Sequence, residues 1–326
     1  MQRFVMVLGF GVLAASSGAT AQTSAGASAA AVDSGGPVTR LAAAPAIVGE
    51  GVISTPAEEF KATVSPDGQT LMYVVTDHRF RHMTIAQSHL RGTAWSTPTV
   101  ADFSGVWRDG DPAFAPDGRT LVFISNRPFP GDTGHVQRHN YNMWRIARHS
   151  DGTWGTPAPF ASTVNTDTSS FAPSLTATGT LYFSRGDVIY RSALVNGEYA
   201  APQPLPFHGG DPSISADERF IIFDAATPAG NTNLFVSCRT PAGWTTPSRF
   251  LEPVSSKFDE GDPWISADGH WLYFYSTRFA AAPDRAPRPR RATYDEIERE
   301  ALGNIYNGSR HLYQVDLSSL SCDHER

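Results

Sequence analysis

One short pattern returns five times along this chain in a single register, at intervals of roughly fifty residues, and a repeat of that length leaves few folds open. Asp111-Pro112-Ala113-Phe114-Ala115-Pro116-Asp117-Gly118, running on into Leu121-Val122-Phe123, is one copy. Asp262 to Phe274 is a second, Asp211 to Phe223 a third with Glu218 where the turn glycine belongs, and Lys61 to Tyr73 a fourth. Ala172 to Phe183 is the most degenerate, with Thr178-Gly179 at its turn. Each copy reads as a β-hairpin: a short strand enters, Pro-Asp-Gly or its relative turns the chain, and a β-branched and aromatic strand leaves.

A third apolar segment follows each hairpin: Met83 to Ser88, Met143 to Arg148, Val188 to Ala193, Leu234 to Arg239 and His311 to Leu317. A fourth is marked by an aromatic residue with a proline three positions on, as in Trp95 and Pro98, Trp154 and Pro157, Tyr199 and Pro202, and Trp244 and Pro247. Four strands per repeat is the arithmetic of a propeller blade. The expected fold is an all-β propeller of five blades spanning residues 45–317. Six blades stay open if one unit hides a degenerate copy. The fifth unit has no fourth strand of its own. Pro45-Ala46-Ile47-Val48 stands in the register to supply it, which closes the ring and removes its free edges.

Residues 1–21 read as a signal peptide. Arg3 supplies a positive start, Phe4 to Ala15 an apolar run short of the roughly 20 residues of a spanning helix, and Ala19-Thr20-Ala21 a cleavage motif. Residues 22–44, rich in Ala, Ser, Gly and Thr, read as a flexible leader, and 318–326 as a C-terminal tail. The chain carries 26 basic and 32 acidic residues; with Arg3 lost in the leader, 25 face 32, a net −7. That balance argues against nucleic acid or anionic lipid as partner. The expected product is a periplasmic or secreted monomer without membrane insertion. Cys238 and Cys322 either pair in that oxidising compartment or stay free; two cysteines are too few for a disulfide framework.

The Ser-Pro-Asp-Gly hairpins and the endings Leu121 to Arg127 and Leu272 to Arg278 resemble the TolB-like family of WD-related propeller repeats. The resemblance covers nearly all of 45–317. It implies the fold, and among functions it implies periplasmic scaffolds that dock proteins, propellers attached to peptidases, or sugar-acid lyases. A shared fold does not choose among these.

The links between second and third strands vary most in length, and they all open on the face where the inner strands begin. That upper face is the expected working surface. Two sets of equivalent residues point at the channel mouth there. Lys61, Asp111, Ala172, Asp211 and Asp262 share one position; Glu59, Asp109, Ser170, Gly209 and Glu260 share another, two residues earlier. Converging carboxylates favour a bound divalent cation, a cationic group or raised pKa values. The plain alternative is structural: turn-capping acids neutralised by Lys61 and by neighbouring arginines. Arg127 and Arg278, with Arg185 in the short unit, would then bridge to those acids rather than bind an anionic ligand.

The pairs His78 with His82 and His135 with His139 have metal-ligand spacing only on a helix, and neither segment reads as one. Arg285, Arg288, Arg290 and Arg291 form a basic, proline-rich stretch. Thr293-Tyr294-Asp295-Glu296 then caps a helix ending at Gly303, either an arm or lid over the mouth or a decorated loop. No GxSxG, HExxH, phosphate loop or dinucleotide motif occurs. The favoured reading is a non-enzymatic envelope scaffold binding a protein or peptide. Its rivals are a carbohydrate-active enzyme of lyase or hydrolase type using the mouth carboxylates, and a cation-stabilised ring.

Overall fold

The computed structural model describes residues 37–132, 137–278, 289–302, 305 and 307–322. They form a five-bladed β-propeller. Blade one comprises Glu58–Val64, Thr70–Thr76, Thr84–Arg91 and Thr99–Val100; blade two, Asp109–Phe114, Thr120–Ser125, Asn142–Ala147 and Ala158–Pro159. Blade three has Phe171–Leu175, Leu181–Arg185, Val188–Ser192 and Gln203–His208; blade four, Gly210–Ile214, Phe220–Ala226, Thr232–Thr240 and Ser248–Phe250. Blade five has Glu260–Ile265, Trp271–Ser276 and His311–Asp316, and takes Ala46–Ile47 as its outer strand, pairing Ala46 with Gln314 and Ile47 with Tyr313. The ring therefore closes as the register requires, with five blades rather than six.

The repeat sequence explains the hairpins. In Ser65-Pro66-Asp67-Gly68 the Asp67 carboxylate accepts from Gln69 N and Ser65 Oγ, while Ser65 Oγ accepts from Thr70 N. Asp217 and Asp268 repeat the arrangement with Ser215 and Ser266, while Asp117, which follows Ala115 in place of the serine, accepts from Arg119 N and Thr120 N. The turn position is left-handed throughout: Gly68, Gly118, Gly179 and Gly269, and Glu218 at φ 62°. A side chain there is strained; Glu218 is held by Tyr182 Oη at 2.5 Å and Arg191 Nε at 2.6 Å.

The core lies between blades. Five apolar clusters fill the five blade junctions, and the residue ending each copy (Tyr73, Phe123, Phe183, Phe223, Phe274) is fully buried. Each such ring contributes about 1.5–3 kcal/mol. Inner strands are stitched sideways as well: Phe114 N donates to Thr63 Oγ1, Ile214 N to Ser174 Oγ and Ile265 N to Ser213 Oγ.

Two readings change, and the alternative left open for the cysteines closes. Trp95, Tyr199 and Trp244 sit in two-residue strands that extend the outer side of a blade as a small hairpin, and Trp154 makes a bridge to Arg148; the outer strands begin after the prolines. Residues 37–44, placed in the leader on composition, belong to the ring: Val38–Thr39 pair parallel with Arg249 and Phe250, and Leu41 is buried in the junction of blades four and five. Cys238 and Cys322 are joined, tying the tail to blade four. Residues 1–36, which hold the expected signal peptide and most of the expected leader, lie outside the described residues, as do His135, Arg285, Arg288 and Gly303. The helix spans Tyr294–Leu302, with Thr293 N donating to Glu296 and Glu296 N to Thr293 Oγ1. Among the described residues no helix is long and apolar enough to cross a membrane.

Candidate functional site

Every inner strand carries the same irregularity near its start. Its pairing with the second strand slips between Phe60 and Thr63, Gly110 and Ala113, Phe171 and Ser174, Gly210 and Ser213, and Gly261 and Trp264. Inside each slip one non-glycine residue is left-handed: Lys61 (φ 51°), Asp111 (47°), Ala172 (51°), Asp211 (45°) and Asp262 (51°). A bulge re-aims the side chain it carries. Five at equivalent positions turn one residue per blade toward the central channel, and four of the five are charged.

The charges meet. Lys61 Nζ lies 3.6 Å from Asp211 Oδ1 and 3.8 Å from Asp262 Oδ1, and it is buried without a hydrogen bond. Asp111 Oδ2 accepts from Ala172 N on the next blade at 2.8 Å. A fourth acid enters from a second strand: Asp224 is buried, and its Oδ2 accepts from Asp262 N at 3.0 Å. Two glycines make room for it, since a Cβ on Gly210 would lie 2.9 Å from Asp224 Oδ1 and one on Gly261 2.6 Å from Oδ2. Oxygens of Asp211, Asp224 and Asp262 all lie within 4.8 Å of one another.

Burial governs the protonation of this inner ring. It pushes Asp111 up to about 6 against the pull of Lys61, and Asp224, repelled also by Asp211, up to about 7. Burial and Asp211 hold Asp262 well above the usual carboxylate range. Burial works against the Lys61 charge, yet the surrounding acids, Asp211 foremost, keep its pKa above the ordinary lysine value.

The residues two positions earlier form an outer ring of different character. Asp109 accepts from Arg127 Nη2 at 2.7 Å and from Ser104 Oγ at 2.9 Å; Arg127 also donates to Ser125 Oγ and Phe103 O. Glu260 meets Arg278 Nη2 at 3.2 Å, Ser276 Oγ and Ser256 N, and Arg278 reaches Ser276 Oγ and Pro253 O. Arg185 repeats the clamp on Ser170 Oγ at 3.1 Å, and Glu59 takes Thr55 N and His311 Nδ1, each at 3.2 Å. Gly209 has no side chain to join. Burial outweighs these partners at Asp109 and Glu260, whose pKa values are raised. The two arginines thus sit against outer-ring carboxylates as bridges, and none of Glu59, Asp109 or Glu260 joins the inner cluster.

Above the cluster, Arg310 lies 5.1 Å from the Tyr275 ring and 5.0 Å from the Phe80 ring, and Arg108 lies 5.6 Å from the Tyr141 ring and donates to Phe80 O. Phe80 is left-handed (φ 54°), a conformation bulky residues avoid, and these two arginines hold it there. The loop carrying it leaves His78, Arg79, Arg81 and His82 exposed. His78 does not pair with His82; its Nδ1 faces Glu58 at 2.7 Å. A concavity of about 300 Å³ lies on the opposite face, among the turns of blades four and five, away from both rings.

The sequence reading missed Asp224. Its only signal is an acid directly after the apolar run Phe220-Ile221-Ile222-Phe223, where the equivalent strands carry Val74, Ile124, Ser184 and Tyr275.

No protein-family model matches the chain, and no curated protein matches it. Solved structures do. A putative TolB from Agrobacterium tumefaciens is 19% identical over 72% of this chain and 74% of its own, with a TM-score of 0.44. TolB from Acinetobacter baumannii is 16% identical over 79%, TM-score 0.41, and this chain spans 54% of it, about half its length. An alpha-L-arabinofuranosidase from Lactobacillus brevis is 13% identical over 83% of this chain and 94% of its own, TM-score 0.48. All three likenesses fall below a TM-score of 0.5, and the five-bladed β-propeller stands on the chain's own strand pairing.

Proposed function

We propose that this protein is an exported binding scaffold of the cell envelope that takes a protein or peptide on its upper loop face. The observation carrying this is the asymmetry of the two faces. On the lower face every link between inner and second strand is a tight turn of five residues (65–69, 115–119, 176–180, 215–219, 266–270). On the upper face the links between second and third strands run to 126–141 and 277–310, and the loop 77–83 presents four exposed basic or histidine side chains. Variable loops on a rigid ring are where binding is built.

The carbohydrate-active reading fits less well. A retaining glycosidase holds its two carboxyls at roughly 5–5.5 Å and an inverting one at roughly 6.5–9.5 Å, with a sugar between them. Here Asp211, Asp224 and Asp262 crowd within 4.8 Å, and Asp224 and Asp262 are buried.

The test is capture from envelope extract at moderate salt, with the triple variant His78→Ser, Arg79→Ser, Arg81→Ser beside the wild type. A specific partner held by the wild type and lost by the variant supports the reading. Equal capture by both, or by neither, removes it.

A further inference from the structure

We infer that Asp211, Asp224 and Asp262 form a binding site for a single hard divalent cation, Ca²⁺ by its dimensions, at the centre of the propeller ring. This goes beyond the docking reading and does not depend on it.

Charge gives the first argument. When ionised, four carboxylates face one ammonium, leaving three negative charges in excess; Asp111, Asp224 and Asp262 are buried and Asp211 is partly exposed. Unpaired buried charge is costly, and such clusters are completed by a metal or by protons.

Lys61 supplies the second, independent argument. Its side chain is 4% exposed and aimed among the acids, yet Nζ makes no hydrogen bond and stands 3.6 and 3.8 Å from the two nearest carboxylate oxygens. A charge-assisted contact normally closes to roughly 2.7–2.9 Å. The resident cation therefore does not saturate the cluster. The carboxylates of Asp211 and Asp262 accept no hydrogen bond from any described residue, and Asp224 accepts one, from Asp262 N. Their lone pairs are free for coordination. Metal-bound waters, which Ca²⁺ uses to fill its shell, are also the acceptors that the Lys61 ammonium lacks.

Size makes the third argument. Oxygens bound to one Ca²⁺ at roughly 2.3–2.6 Å stand at most about 5 Å apart. The three here lie within 4.8 Å of one another, and three oxygens placed symmetrically about one Ca²⁺ stand roughly 4–4.5 Å apart, so an ion enters with a shift of a few tenths of an ångström at most. A lysine or arginine side chain from a partner would need an open cavity. Instead the backbone is cut back only enough for Asp224: a Cβ on Gly261 would fall 2.6 Å from its Oδ2 and 2.9 Å from Tyr275 Oη. A monatomic ion fits this space.

The experiment uses the full chain, stripped with EDTA and desalted, then measured with CaCl₂ or MgCl₂. Expected are about one Ca²⁺ retained per chain through gel filtration and a melting temperature raised by about 5 °C or more at a hundredfold excess over Kd, with a smaller rise in Mg²⁺. Asp224→Asn keeps an acceptor for Asp262 N and should abolish both signals. If that variant does not fold, Asp211→Asn, at the most exposed of the three acids, gives the same reading. Lys61→Met removes a competing positive charge and should tighten Ca²⁺ at least roughly tenfold. Wild type that retains no Ca²⁺ and shows no shift overturns the proposal. So does a carboxamide variant that binds as wild type, or a Lys61→Met variant with unchanged affinity. None of these readouts involves a partner protein, so failure of the docking reading leaves them intact.

Discussion

Asp109 and Asp111 lie two residues apart on one inner strand, both buried, and they meet opposite surroundings. Asp109 belongs to a ring in which each acid has been given its own counterion or donors: Arg127 here, Arg278 for Glu260, His311 for Glu59. Asp111 belongs to a ring in which four acids share Lys61, and that ammonium makes long ion pairs with Asp211 and Asp262 but no hydrogen bond. The outer ring extends each clamp to backbone carbonyls of the preceding loop, such as Phe103 O, Pro253 O and Val164 O. It locks a blade to its own entry loop. The inner ring ties blade to blade through Asp111 to Ala172 N and Asp224 to Asp262 N, and keeps its charge unbalanced. Equivalent repeat positions fix where a carboxylate goes; the partners around it decide whether it is structure or site.

Removing one partner from each ring separates the two most directly. Arg127→Met leaves Asp109 buried without its cation and should lower stability by about 3–5 kcal/mol, the range for breaking a buried pair. Asp111→Asn lightens an overcharged cluster and should change stability by less than about 1 kcal/mol in cation-free buffer, or raise it. Denaturant titration of both variants decides this. Equal losses would mean that the inner ring is a clamp like the outer one.

pH sharpens the same contrast. Asp111 and Asp224 titrate at about 6 and about 7 in the folded chain against 3.8 unfolded. A group raised in this way gives stability fully present below the unfolded pKa and lost as pH rises through the folded one. The EDTA-treated protein should therefore lose a few kcal/mol, roughly, between pH 5 and pH 8. Asp67 and Asp268, whose pKa values are lowered, act below that window. Asp224→Asn should flatten the decline, and thermal melts across the range would show it. A wild-type profile flat from pH 5 to pH 8 would contradict the buried-acid description.

Gly261→Ala is a smaller, local perturbation. Its Cβ would press on Asp224 Oδ2 and on Tyr275, and overpacking of this kind costs about 1–3 kcal/mol. Because Asp224 must move, Ca²⁺ retention should fall further than stability does. Loss of stability with full Ca²⁺ retention would place the ion elsewhere.

The fold was legible because its determinants are local and repeated. Ser-Pro-Asp-Gly encodes a turn whose hydrogen bonds run within five residues, and the apolar exit from each turn names the buried strand. The aligned column of Lys61, Asp111, Asp211 and Asp262 likewise found most of the inner ring. What stayed hidden depends on contacts between blades. Asp224 sits outside that column and reaches the ring only because a bulge brings Asp262 N over it. The orphaned state of Lys61 Nζ is a matter of ångströms that no spacing records. Residues 37–44 read as leader because Leu41 is a single anchor in a small-residue stretch, too little to register as periodicity. Trp95 and Tyr199 marked the wrong strand, since an aromatic that covers a hairpin edge and one that fills an outer strand have the same sequence signature.

The smallest expected effect tests whether the rim above the rings is structural at all. His78 faces Glu58 at 2.7 Å, but its side chain is 74% exposed, and Glu58 also receives Arg310 Nη1 at 3.2 Å and Arg310 N at 3.1 Å. His78 is the exposed member of the pair, and the buried Glu58 keeps Arg310 without it, so His78→Ala should shift stability by less than about 0.5 kcal/mol. The same variant removes one of the four exposed side chains of the loop on which the docking reading rests. Weakened partner capture with unchanged melting would separate binding from folding at this rim. A clear loss of stability would instead enrol His78 with Arg310 and Phe80 in the packing of the mouth, and the basic loop would then be scaffold rather than surface.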